Sequence, residues 1–322
     1  MNKIEKIGQQ GKLTIGLELP LDNDWALAGD IKRKQDGRPF GVPDIAIHAK
    51  LAKMVDDLGY AALWMRDVPV YDPSFGDAAQ QFEAFSYLGY LSGITKNILL
   101  GTAAIVLPIR EPLLTAKSAA SIDLLSEGRL LMGLGLGDRA IEFPLFGKNY
   151  ENRAERFRKG IDLMKHVWKE NGYLHQYYTG INPGAEVYPK PTQETIPLIM
   201  AGYGQQTLEW IAMNMQGWFN YPRNVAESAD LAKEWNNTVH RLQLPAKPFI
   251  TAFHLNLVED PNAALIPHRF GGSLGRNKLK ELLYDYQSAG ITHMALQLRR
   301  NSRPVEEAIE EIATYILPEF KS

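Results

Sequence analysis

The chain has 322 residues, 45% of them hydrophobic and 22% charged, with a formal net charge of −2. That balance belongs to an ordinary globular protein with a large core, and it carries no basic footprint for nucleic acid. There is no cysteine, which excludes disulfides, thiolate metal sites and a cysteine nucleophile.

No apolar run approaches the roughly 20 residues that span a bilayer. The N-terminal stretch MNKIEKIGQQGKLTIGLEL has neither a long apolar segment nor a cleavage site of small residues. The expectation is a cytoplasmic protein with no membrane or nucleic-acid partner. Short apolar runs then alternate with helical patterns. LTIGLEL (Leu13–Leu19) reads as a strand, and after an irregular segment from Asp22 to Pro43, DIAIHAKLAKMVDDLG reads as a helix closed by Gly59. YAALWMR is the second strand and FEAFSYLGYLSGIT a helix. ILLGTAAIVL is the third strand, with Gly101, Thr102, Ala103 and Ala104 at its centre. Glycine and alanine are depleted in strands, and small residues there mark a place where something comes close to the backbone.

LLTAKSAASIDLLSEG is a helix closed by Gly128, and LLMGLGLG the fourth strand. Ala154, Phe157, Ile161, Met164 and Trp168 then line one face of an amphipathic helix. The Gly-, Pro- and Tyr-rich stretch at 171–194 breaks the rhythm and reads as an insertion containing a short hairpin. PLIMAG, GWFNY, FITAFHLNLV and ITHMALQLR supply four more strands, each followed by a helical pattern, with Gly271–Gly275 read as a loop. Strand–helix alternation implies parallel strands with crossover helices. Eight such units make a (β/α)8 TIM barrel, with a doubly wound open sheet as runner-up. One domain over residues 1–322 is expected.

Barrel sites lie at the C-terminal ends of the strands. GLGLGD (Gly133–Asp138) has the wrong glycine spacing for a dinucleotide fingerprint. AGYGQQT (Ala201–Thr207) suits a phosphate at a strand-to-helix turn and equally an ordinary turn. GGSLG resembles a nucleophile elbow, and a hydrolase would need Ser273 with Asp285 and His293, but a poor strand precedes it. The seven histidines form no metal-binding pattern; His48 and His166 read as surface or packing residues, and His254 is a candidate for the barrel mouth. Trp64, Tyr203, Trp218 and Tyr221 near strand ends fit either a core or a planar ligand.

The run from Asn97 to Gly147, continued by RAERFRKGIDLMKHVW, IPLIMAGYGQQTLEWIAMNMQGWFNYPR and AGITHMALQLR, resembles the bacterial-luciferase-like flavin-dependent monooxygenases over roughly two-thirds of the chain. The resemblance implies an FMN site. A cis Ala103–Ala104 bond would face the flavin ring. Gly135, Leu136, Gly137 and Asp138, with Gly202, Tyr203, Gly204, Gln205 and Thr207, would hold its phosphate, and Tyr221 would line the site. Leu136 stands where the luciferases carry a phosphate-binding arginine, and Arg139 is the nearest substitute. Val68 stands where they carry a catalytic histidine, which leaves Arg66 and Asp67 as the catalytic candidates. The implied activity is a two-component monooxygenase. It would use O2, a small organic substrate and reduced FMN from a separate NAD(P)H:flavin reductase, in a homodimer. An F420-dependent hydride-transfer enzyme and a non-catalytic flavin-binding protein are the alternatives.

Overall fold

In the computed structural model, which describes residues 3–75 and 82–320, each predicted apolar run becomes one stave of a closed sheet. The strands are β1 (Thr14–Glu18), β2 (Ala62–Met65), β3 (Leu99–Thr102), β4 (Ile105–Val106), β5 (Leu130–Gly135), β6 (Leu198–Ala201), β7 (Gly217–Asn220), β8 (Phe249–Leu257), β9 (Ile266–His268), β10 (Gly271–Leu274) and β11 (His293–Gln297). Neighbours run parallel from β11 through β1, β2, β3, β5, β6 and β7 to β8, and β8 pairs back onto β11. β4 extends the line of β3 beside β5. The result is the expected eight-stave TIM barrel.

The helices are α1 (Leu27–Gln35), α2 (Ile45–Asp57), α3 (Ala84–Ile94), α4 (Pro112–Leu125), α5 (Glu142–Leu145), α6 (Arg153–Lys169), α7 (Tyr173–Tyr177), α8 (Leu208–Asn214), α9 (Val225–Arg241), α10 (Arg276–Ser288) and α11 (Val305–Tyr315). Side-chain alternation along the strands divides the core in two. Inward residues Ala62, Trp64, Leu99, Leu131, Ile199, Phe219, Ile250, Ala252 and Ala295 fill the barrel, with Ile4 and Ile7 packed against them. Outward residues such as Leu17, Leu63, Leu100, Met132, Leu198 and Leu296 meet the helices. On α3, Ala84, Tyr87, Leu88 and Leu91 are buried in that outer core, so most of its apolar face is used within this chain.

Two expectations are corrected here. The 171–194 insertion holds the short helix α7 and irregular chain, not a hairpin. The Gly271–Gly275 stretch is mainly strand β10, which lies parallel to His254–Leu257 of β8 and antiparallel to β9. β8 has nine residues against five in β11, so its far end rises above the barrel with an open edge. β10 satisfies that edge.

Candidate active site

The bend between β3 and β4 builds one side of the mouth. The Ala103–Ala104 peptide is cis, as expected from the resemblance. Ala103 N donates to Met65 O at 2.6 Å, and Thr102 Oγ1 donates to Gly133 O at 2.7 Å. The small residues of this strand have different partners. A Cβ on Gly101 would overlap the indole of Trp64, so its space belongs to the barrel core. A Cβ on Gly133 would overlap the Thr102 carbonyl. Higher up, a Cβ on Gly135 would meet only Ala104 Cβ, at 3.4 Å, and Ile105 O, at 3.9 Å. At Gly202 it would meet only Tyr221 Cε2, at 3.9 Å. Ala103, Ala104, Gly135, Ala201 and Gly202, at the ends of β3, β5 and β6, thus carry no side chain larger than a methyl group.

The ends of β5 and β6 come together there. A Cβ on Gly204 would lie 3.7 Å from Leu136 Cβ, so the two glycine-rich segments expected to hold a phosphate are neighbours. Gly137, Gly202 and Gly204 have φ of +83°, +61° and +50°, and Gln205 has +56°. Those left-handed turns suit glycine and fold the backbone back over the strand ends. Thr207 caps α8, accepting from Trp210 N at 3.1 Å. Tyr203 is exposed and packs edge-on against Trp218. Arg139 turns toward the chain after β2: its Nη1 donates to Val70 O at 3.3 Å and its guanidinium lies 4.3 Å from the Phe75 ring. One cation beside the β6 segment is Arg158 on α6, whose Nη1 donates to Gln206 Oε1 at 3.1 Å. Sequence reasoning passed over Arg158 because an exposed arginine on an amphipathic helix carries no local signal.

Arg66 and Asp67 part company. Arg66 follows the inward residue Trp64 by two and is half-buried at the mouth. Asp67 is buried against Arg110, accepting from Nε at 2.9 Å and Nη2 at 2.7 Å, and from Val106 N at 3.1 Å. Its carboxylate thus ties the end of β2 to β4 and positions the bend. Removing one partner of such a pair leaves a buried charge unmatched. D67N is expected to lose about 2–3 kcal/mol of stability in urea titrations.

Polar groups form the opposite rim. Gln297 Nε2 donates to Glu18 Oε2 at 2.9 Å, both residues being buried. Arg299 Nε donates to Asp22 Oδ1 at 3.0 Å, and Arg38 holds Asp24 through two hydrogen bonds of 2.7 and 2.9 Å. His254 on β8 shares the inward face of Ile250 and Ala252 and lies in register with Gln297. Beside Arg139, burial pushes the Glu142 carboxyl up to about 7, with Arg139 opposing and the charges of Asp67 and Asp138 adding to the rise.

His293 is at the other end of its strand, inside the barrel. Its Nε2 accepts from Trp64 Nε1 at 2.9 Å, so Nδ1 carries the proton and faces Thr14 Oγ1 at 2.8 Å. Burial holds this imidazole neutral down to about pH 3. Ser273 Oγ instead takes Asn256 Nδ2 at 3.0 Å, and Asp285 is exposed on α10. The three residues of the hydrolase alternative are not assembled.

A family model described as luciferase-like monooxygenase matches residues 26–310. The chain belongs to the luciferase-like monooxygenase family. An uncharacterized protein of Mycobacterium tuberculosis (strain ATCC 25618 / H37Rv) is 28% identical over 194 residues, 55% of this chain and 68% of that one. An F420-dependent secondary alcohol dehydrogenase, in complex with an F420-acetone adduct, has a TM-score of 0.72 at 16% identity, covering 97% of this chain and 100% of that one. The oxygenating constituent of 3,6-diketocamphane monooxygenase from the CAM plasmid of Pseudomonas putida, in complex with FMN, has a TM-score of 0.70 at 13% identity, covering 96% and 99%. These solved structures share the luciferase-like fold. No helix among the described residues is long and apolar enough to cross a membrane.

Proposed function

We propose that this chain is a flavin-dependent monooxygenase working as one barrel unit, with the platform at the ends of β3, β5 and β6 holding FMN. The platform itself carries the reading. A tricyclic ring needs a flat floor wider than any side chain, and Ala103, Ala104, Gly135, Ala201 and Gly202 leave one at the barrel mouth. The adjoining turns through Gly137 and Gly202–Gln205 bring backbone to the phosphate end, and Arg158 supplies positive charge there. Bound reduced FMN would supply the electrons that activate O2 for transfer of an oxygen atom to a small organic substrate.

The chain's own groups bind and orient. Asp67 and Arg110 hold in place the β3–β4 bend that would help bind the flavin. Glu18 and Gln297 set the polarity of the opposite rim. Glu142, with its raised carboxyl, can hold a proton near neutral pH beside Arg139. A separate NAD(P)H:flavin reductase would deliver the reduced flavin, and two copies would associate. F420 is the second reading, supported by the likeness to the F420-dependent alcohol dehydrogenase fold.

Anaerobic titration with FMN and with F420, each oxidised and reduced, tests this by flavin fluorescence and absorbance. Tight binding of reduced FMN, followed by its oxidation on adding air and, where an organic substrate is present, by formation of an oxygenated product, is the expected result. Binding of F420 alone would replace oxygen transfer by hydride transfer. Binding of neither would refute the flavin reading.

A further inference from the structure

The barrel mouth has two unlike halves. The β3–β5–β6 side is the side-chain-free platform. On the β7–β8 side and across to the loop after β1, four aromatic rings follow one another. Trp25 lies 6.2 Å from His254 at 53°, His254 lies 5.6 Å from Phe270 at 68°, and Phe270 lies 6.5 Å from Tyr221 at 29°. Arginines lie against two of the four rings. The Arg299 and Arg300 guanidinium carbons lie 4.7 and 5.4 Å from the Trp25 ring, and that of Arg269 lies 4.7 Å from Phe270.

Phe270 holds the arc together. It joins β9 to β10 with φ +70°, a conformation that bulky residues rarely adopt. A tight turn there would favour Gly or Asn. The phenyl ring is only half-buried, so filling the core does not account for it. The Phe270 carbonyl accepts from His254 N at 2.9 Å, and the ring crosses the imidazole edge-on. Backbone strain kept at a partly exposed residue points toward a site.

His254 is set apart from the other histidines. His293 is sealed in the barrel and His48 is buried on α2 against Tyr87. His166 is half-buried on α6, His175 and His240 are exposed on α7 and α9, and His268 is on β9. Only His254 stands on the inward face near the C-terminal end of a barrel strand. Its half-buried imidazole is held between Trp25 and Phe270.

We propose that this aromatic half is the substrate side of the mouth. It takes a planar aromatic substrate, neutral or anionic, whose ring lies against Phe270 and Tyr221. His254, positioned by Phe270 and Trp25, reads the substrate's polar group through a hydrogen bond. The exposed Arg269 and Arg300, beside Phe270 and Trp25, disfavour a cation. The proposal rests on the flavin reading in one respect, since it leaves the platform half to the cofactor.

Phenol and cyclohexanol, alike in size and hydroxyl but not in aromaticity, test it by calorimetric or NMR titration of the full chain, wild type beside F270G and H254F. Phenol is expected to bind about tenfold tighter than cyclohexanol. F270G should lose about that tenfold for phenol, shift the His254 imidazole resonances, and keep or raise the thermal midpoint because glycine accepts the backbone. H254F should keep the aromatic preference but no longer favour phenol over toluene. Equal or absent binding of the two alcohols to wild type would overturn the proposal. So would an F270G variant that melts lower yet binds phenol as wild type does. FMN titration of the same samples separates the two readings: wild type that fails to bind FMN but prefers phenol refutes the flavin reading alone.

Discussion

G133A is expected to abolish soluble folding at 37 °C, a loss of more than about 4 kcal/mol. The added methyl group would overlap the carbonyl of Thr102, a backbone atom in the adjacent strand line. No rotamer change relieves such a clash, so β3 and β5 would have to separate. That movement breaks the Leu100↔Leu130 and Gly101↔Leu131 pairing and the Thr102–Gly133 hydrogen bond. Two residues along the same strand the expectation reverses. At Gly135 a methyl group would make ordinary contact with Ala104 Cβ at 3.4 Å, and G135A should change stability by less than about 1 kcal/mol. G135L, however, would stand on the platform, and flavin affinity should fall about 100-fold or more because a leucine cannot share that space with a ring. Expression, urea midpoints and flavin titration of the three variants check this. G133A stable as wild type would refute the β3–β5 packing, and G135L binding flavin normally would refute the platform.

Acidification is expected to weaken the fold through two buried histidines. Burial lowers His293 to about 3 and His48 to about 4 from the ordinary 6.5. The unfolded chain takes up protons below pH 6.5 that the native state refuses. Stability is therefore fully present above that pH and falls at about 1.4 kcal/mol per pH unit per histidine, or about 4 kcal/mol for both at pH 5. Glu142 acts in the opposite sense. Raised to about 7 from 4.5, it binds a proton more readily when folded, so it adds stability as pH falls from 7 toward 4.5 and partly hides the histidines. E142Q should expose the full loss of about 4 kcal/mol between pH 7 and pH 5, and H293Q in that background should remove about half of it. Urea midpoints at pH 5, 6 and 7 give the slopes. Identical slopes for E142Q and E142Q/H293Q would show that His293 titrates normally.

Glu142, His48 and His293 also mark what a linear reading could not reach. Each lies in a segment whose local pattern says only helix or strand, and its protonation depends on what the rest of the chain buries around it. The sequence by itself determined the architecture. Alternating apolar runs and amphipathic helices, punctuated by Gly59 and Gly128 at φ +86° and +77°, specify eight strand–helix units because periodicity and turn chemistry act within a few residues. It also located the small residues at the ends of the third, fourth and fifth barrel strands, and the run whose pattern resembles the luciferase-like proteins. Tertiary structure decided which neighbour each small residue serves: Trp64 at Gly101, the Thr102 carbonyl at Gly133, and the open mouth at Gly135 and Gly202. It decided that Asp67 pairs with Arg110, that Arg139 turns toward Val70 and Phe75, and that Arg158 meets the β6 segment. It also brought Phe270 over His254 by adding β10 to the open edge of β8. The physical reason is separation along the chain. Asp67 and Arg110 are 43 residues apart and Glu18 and Gln297 are 279 apart. A side chain's partner at that distance is chosen by the closure of the barrel, which no local pattern encodes.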